Sequence, residues 1–237
     1  MKSFFTIIFV CIELIVSGQT DESTAVLKSC IFFPYPMQGH RYHSSIGFTM
    51  TTMPQDVTEE VAISAPAGDY HFIRKIKNGF YVDGRVIFQI VQNRFSLGPR
   101  WAHVINNRLS FSVGDDFAWW FGTLKVGGFN TSANGWLNYP NASLGYRFNK
   151  VLLSCKLEAS FNLHYQSKVG DLKTVAKTNE YNGWSASLML EQPFYKKKDF
   201  ILGFRGQYAN FFWQTWPLYE TFDRHLFYPE VIVGFIL

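Results

Sequence analysis

The sequence predicts an all-β chain that closes into an antiparallel transmembrane β-barrel of about ten strands. Three observations carry that expectation. Residues 151–165 alternate apolar and polar with a period of two; the same period returns along the chain between alternately short and long connections; and aromatic residues make up 18% of the 237 residues. Val151, Leu153, Cys155, Leu157, Ala159, Phe161, Leu163 and Tyr165 form one apolar file, opposite Leu152, Ser154, Lys156, Glu158, Ser160, Asn162 and His164. Such a strand is about four residues longer than a soluble strand needs. It suits a soluble sandwich or a wall with lipid outside and a polar lumen inside, and the repetition selects the wall.

Residues 1–18 read as a secretory signal. Lys2 supplies the positive end, Phe4 to Val16 the apolar segment despite Glu13, and Val16, Ser17 and Gly18 a small-residue cleavage pattern. The apolar run is shorter than the roughly 20 residues of a spanning helix. Membrane insertion of the mature chain is therefore expected as a closed barrel, in which every backbone group is paired between strands. With Cys11 in the signal, Cys30 and Cys155 remain, and Cys155 falls on the apolar file, where a thiol acts as a small hydrophobe. The net charge of +4 comes from scattered Lys and Arg with no basic stripe, so no nucleic-acid partner is expected.

Residues 19–40, with Pro34 and Pro36, read as a periplasmic lead-in with short structure under or inside the barrel, and residues 41–237 as the barrel. Arg41–Met53 alternates as a first strand, and Pro54–Gly68 is an exposed loop. Asp69–Lys77 and Phe80–Val91 flank Asn78-Gly79, a two-residue hairpin signal. Gln92–Arg94 reads as a turn into Phe95–Ile105, which Pro99 weakens as a strand. Asn106-Asn107 turns the chain into Arg108–Phe121, and Gly122–Gly135 is a larger loop. Trp136–Phe148, the turn Asn149-Lys150 and the strand 151–165 follow, then a polar loop over Gln166–Glu180. Tyr181–Tyr195, the charged turn Lys196–Asp199, Phe200–Phe212, an aromatic loop over Trp213–His225 and a last strand Leu226–Leu237 complete the order. The short turns then fall on one side of the membrane and the long loops on the other, as barrels require. Eight strands, with residues 41–77 outside the wall, is the alternative.

Over residues 41–237, the hairpin rhythm, aromatic density and apolar final strand resemble the small outer-membrane barrels of Gram-negative bacteria, particularly compact proteins of Bacteroidetes-like organisms. The resemblance is architectural and matches no named family motif. It implies the cell outer membrane as location, and outer-membrane lipid and the barrel-assembly machinery as partners. That machinery commonly reads a terminal aromatic; this chain ends Phe235, Ile236, Leu237 and so departs in the last residue.

A ten-strand barrel has an interior mostly filled by side chains. The expected inward charges are Arg85, Arg100, Arg147, Lys156, Glu158, Glu191, Arg205 and Glu230, which can pair across the lumen and close it. Small enzymatic barrels of similar size include lipid A acyl-chain hydrolases and transferases and ten-strand aspartate/histidine proteases. His43 with Ser45, and His164, offer the residue types such chemistry needs, without a motif. Asp115 and Asp116 are adjacent in a strand and point to opposite faces, so they form no dyad. No spaced cluster suggests a metal and no glycine loop a phosphate, so no cofactor is expected. Trp213, Trp216, Tyr219, Phe222 and Phe227 read as interface rings. The leading functional expectation is a structural, adhesive or docking barrel with a filled lumen and an extracellular ligand at its loops. An envelope lipid or peptide hydrolase, a narrow pore and a soluble lipid-binding barrel are the alternatives.

Overall fold

An open sheet leaves backbone donors and acceptors unpaired along its edges, and this chain removes its edges by closing the sheet on itself. The computed structural model describes residues 30–36, 41–58, 63–127, 129–170, 172–176, 179–193, 199–217 and 224–237. The expected signal, residues 1–18, lies outside them. Strands β1 (Tyr42–Thr52), β2 (Ser64–Lys77), β3 (Phe80–Phe88), β4 (Gln92–Val104), β5 (Leu109–Val126) and β6 (Phe129–Phe148) each pair antiparallel with the next. They are followed by β7 (Val151–Val169), β8 (Leu172–Ala176), β9 (Glu180–Pro193), β10 (Asp199–Ala209) and β11 (Leu226–Ile236). β6 pairs with β7 and β11 returns to β1, which closes the circuit. β8 and β9 pair with successive stretches of β7 and share one place in the wall, so eleven strands fill ten positions. β1 and β2 thus belong to the wall, which excludes the eight-strand alternative.

The hairpins follow local chemistry. Lys77 pairs with Phe80 across Asn78-Gly79, with Gly79 at φ 78°, and Phe148 pairs with Val151 across Asn149-Lys150, with Asn149 at φ 49°. The Asn106 side chain accepts hydrogen bonds from the amides of Arg108 and Leu109 at 2.9 and 2.8 Å, a side-chain-closed turn. These connections lie at one end, here the turn end; the connections β1–β2, β3–β4, β5–β6, β7–β8 and β10–β11 lie at the other, the loop end.

Four expectations change at the loop end. The end of Pro54–Gly68 is strand, since β2 begins at Ser64. Gln92–Arg94 is the start of β4 rather than a turn. Most of Gly122–Gly135 is strand, because β5 and β6 continue as one hairpin to Val126 and Phe129. The first part of Gln166–Glu180 is likewise strand, where β7 turns back into β8. β5 runs four residues past its last partner on β4, and β7 seven past its last partner on β9. At about 3.3 Å per residue a small sheet therefore projects roughly 13–23 Å beyond the wall on one side.

Two bulges also reset the faces. Leu163 is an extra residue on β7 against β6, since Leu137 pairs with Asn162 and Trp136 with His164. The slip reverses every later side chain. Tyr165, expected on the apolar outer file, is buried in the lumen, and His164 stands on the outer face beside Trp136. Asn182-Gly183 is the second bulge. Gly183 takes φ 147°, and a Cβ there would lie 2.0 Å from the Tyr208 carbonyl oxygen, so only glycine fits.

Exterior and interior differ in chemistry throughout. Phe48, Phe95, Phe117, Trp184, Leu188, Phe204, Val231 and Phe235 are exposed large apolar side chains on outward files. Met50, Val231, Phe204 and Leu188 stand side by side across four strands. An apolar girdle of that extent is characteristic of a lipid-facing wall and foreign to a soluble surface. No helix among the described residues is long and apolar enough to cross a membrane; the one α-helix, α1, is Gln55–Thr58.

Candidate functional site: a chamber stoppered at both ends

The lumen is closed at the turn end by the chain's own residues 30–36. Ile31, Phe32 and Phe33 turn inside the barrel and present their backbone to two wall residues. The Glu191 carboxylate on β9 accepts the amides of Ile31 at 2.8 Å, Phe32 at 3.2 Å and Phe33 at 2.7 Å. Across the lumen, the Arg100 guanidinium on β4 donates to the carbonyls of the same three residues, at 2.8, 3.3 and 3.2 Å. The clamp thus grips peptide groups rather than side chains. Gly145 makes room for it, because a Cβ there would meet Pro34 at 2.5 Å and Phe33 at 2.6 Å. Cys30, next to the clamp, is buried, and that burial, with Glu191 beside it, pushes its thiol pKa up. Cys155 is exposed on the outer face and both cysteines are free.

The loop end is closed by residues 211–216, which fold inward after β10. Phe211, Phe212, Trp213 and Trp216 are buried, so Trp213 and Trp216 are not interface rings; Phe227 does face outward, and Tyr219 and Phe222 lie outside the described residues. The Asn182 side chain, aimed inward by its bulge, holds Phe211 by both backbone groups, accepting from its amide and donating to its carbonyl at 2.8 Å each. Phe211 packs on Trp120 and Tyr165, and Phe212 stacks on Tyr228 at 4.5 Å.

Between the stoppers lies a polar chamber of about 60 Å³, room for about four waters. Its charges are paired across strands. Arg85 forks onto Asp69 at 2.9 and 2.7 Å. His71 Nε2 meets Asp83 Oδ1 at 2.5 Å, and Arg100 reaches Asp83 Oδ2 at 3.3 Å. Lys156 bridges Asp116 at 3.2 Å and Glu158 at 2.9 Å; Arg205 meets Glu158 at 2.8 Å and Glu230 at 3.8 Å. Buried ions tolerate a low-dielectric interior only with such partners.

Of the eight expected lumen charges, the structure brings Arg85, Arg100, Lys156, Glu158 and Arg205 to the chamber, and Glu230 lies behind them, 3.8 Å from Arg205. Glu191 sits below it in the clamp. Arg147 stands half-buried near the turn end of β6, away from the chamber. Asp69, His71 and Asp83 were not singled out from sequence, although Asp69 and His71 alternate with Tyr70 and Phe72. Arg94 gave no signal, because polar Gln92–Arg94 reads as a turn. Asp116 faces inward, while Asp115 faces outward and accepts a hydrogen bond from Asn138 at 2.6 Å.

The hydrolase candidates separate. His43 and Ser45 are buried on the inward file of β1, and His164 is on the other side of the wall. Ser45 is the cross-strand neighbour of His71, so Ser45, His71 and Asp83 fall in one region. No hydrogen bond joins Ser45 to His71 among the described residues, and the Phe32 ring packs edge-on against the imidazole at 4.7 Å. The Phe32 ring and the turn-end stopper that carries it thus pack against this group. No group of His, Cys, Asp and Glu among the described residues is arranged to hold a metal.

No family model and no curated protein matches the chain. Among solved structures it is similar to Ail, the attachment invasion locus protein of Yersinia pestis, at 12% identity and a TM-score of 0.40, covering 83% of this chain and 97% of that one. It is also similar to Neisserial surface protein A, at 12% identity and 0.40, covering 84% and 99%. A third is the translocator domain of the autotransporter NalP from Neisseria meningitidis, at 11% and 0.45, covering 84% and 88%. The barrel described here rests on the chain's own closed strand pairing.

Proposed function

We propose that this chain is a non-conducting outer-membrane barrel that docks an extracellular ligand through the sheet projecting from its loop end. One observation carries the reading: the lumen is stoppered at both ends, while β5 to β8 extend well past the apolar girdle. A pore would leave the lumen open. A protein that works at its rim can fill its lumen and spend its length outside. Among the described residues the projecting sheet ends in strands whose outer edges lack a partner at that height, β5 on one side and β8 on the other, and such edges accept an added strand. Residues there mix charge and apolar surface on both faces, with Lys125, Val126, Lys168, Val169 and Leu172 exposed.

The test is reconstitution followed by display. The refolded chain should migrate faster before heating than after, and should give no steady conductance in a planar bilayer. Cells displaying it should be retained on arrays of host-surface proteins and glycans, and cells displaying a chain trimmed of residues 123–131 and 166–177 should not. Equal retention would sink the docking reading, and steady channels would sink the closed lumen.

A further inference from the structure

All but one of the cations lining the chamber have an anionic partner. Arg85 has Asp69, Arg100 has Asp83, Lys156 has Asp116 and Glu158, and Arg205 has Glu158 and Glu230. Arg94, on β4, is only 4% exposed, yet among the described residues it forms no ion pair and no hydrogen bond, and its Nε has no acceptor. Its guanidinium carbon lies 5.7 Å from the centre of the Tyr139 ring and 5.3 Å from that of Trp213. These rings hold the group through its π face and satisfy none of its N–H donors. A guanidinium offers those donors as a planar fork that matches a carboxylate or other planar oxyanion. The Tyr139 hydroxyl is also buried without a partner, and Arg94 and Tyr139 both line the chamber. Of the nearby carboxylates, both Asp69 oxygens hold Arg85, and Glu158 holds Arg205, Lys156 and Ser185; Glu230 lies 3.8 Å from Arg205 and, among the described residues, forms no ion pair with Arg94.

We propose that the chamber is a binding site for one small monovalent oxyanion, held by the Arg94 fork with the Tyr139 hydroxyl as a second donor. Its volume sets the size. About four water-sized positions admit formate, acetate or nitrate and exclude an aromatic carboxylate. The bound anion supplies the missing partner of a buried charge and so ties β4 and β6 to the cap that carries Trp213.

The experiment uses the refolded full barrel in a buffer whose anion is a bulky sulfonate. Thermal unfolding is followed as sodium acetate, nitrate or benzoate is added, and calorimetry gives the dissociation constants. The expected result is a melting temperature that rises and saturates with acetate and nitrate and does not respond to benzoate. Arg94→Gln should weaken acetate binding at least tenfold and lose the thermal response, while Arg74→Gln, at an exposed position on β2, should keep both. Should the Gln variant not fold, Arg94→Lys keeps the charge without the fork and should bind acetate at least fivefold more weakly. The proposal is overturned by a melting temperature indifferent to acetate up to 100-fold over the protein concentration. It is equally overturned by an Arg94→Gln or Arg94→Lys variant with the parent's acetate affinity, or by an Arg94→Gln barrel more stable than the parent at every acetate concentration.

Discussion

Replacing Glu191 with Ala should release the segment at the turn end without unfolding the barrel, and Cys30 is a built-in reporter of that release. In a chain produced from residue 19 with Cys155→Ala, Cys30 is the one remaining thiol. While docked it is buried and its pKa is pushed up, so it is both shielded and protonated. A maleimide can react only when the segment leaves its clamp and the thiol regains an ordinary pKa of about 8.5. Glu191 contributes two short hydrogen bonds from a charged acceptor, at 2.7 and 2.8 Å, and a longer one at 3.2 Å. At about 1.5–3 kcal/mol for each of the two short bonds, their loss shifts the docking equilibrium by at least about 3 kcal/mol. Since each 1.4 kcal/mol is a factor of ten, labelling should accelerate by about 100-fold. Arg100→Ala grips the same three peptide groups from the other side and should accelerate labelling too, with the double variant less than additive. Labelling within threefold of the parent in a barrel that still shifts mobility on heating would refute the clamp.

Other consequences follow from the wall and the chamber. Glu158→Ala takes the nearer of two carboxylate partners from both Arg205 and Lys156 and should cost about 3–5 kcal/mol, read as a lower guanidinium midpoint in vesicles; an unchanged midpoint would show that these ion pairs hold nothing together. Leu188→Arg places a charge in the apolar girdle and should destabilise the inserted barrel by about 2–4 kcal/mol. Were that face in water, the same exposed substitution would stay within about 0.5 kcal/mol. Asn182→Ala removes both hydrogen bonds to Phe211, and fluorescence of the buried Trp213 and Trp216 should shift to longer wavelength as the cap loosens.

The wall was legible because a barrel strand solves one problem at every residue, lipid on one side and lumen on the other, and so writes period two into the chain. Asn78-Gly79 and Asn149-Lys150 mark turns because few residues accept a positive φ. Strand ends were less legible, since projecting strands such as the upper parts of β5 and β6 face water on both sides and read as loop. The bulge at Leu163 left no compositional mark, and its one extra residue sent Tyr165 to the lumen and His164 outward. Trp213 and Trp216 have the composition of interface rings, and only the inward path of the chain after β10 makes them a cap. Arg94 was hidden because three polar residues before Phe95 look alike whether they turn or begin a strand. Chamber partners such as His71 and Asp83 depend on register between strands, which alternation within one strand does not specify.

The most direct test of the closed barrel is planar-bilayer recording of four proteins: the intact chain, one with residues 30–36 replaced by Gly and Ser, one with residues 211–216 so replaced, and one with both replacements. Two stoppers in series predict silence from the first three and small unitary current steps from the last. Steady unitary steps from the intact chain, or from either single replacement, would contradict the account.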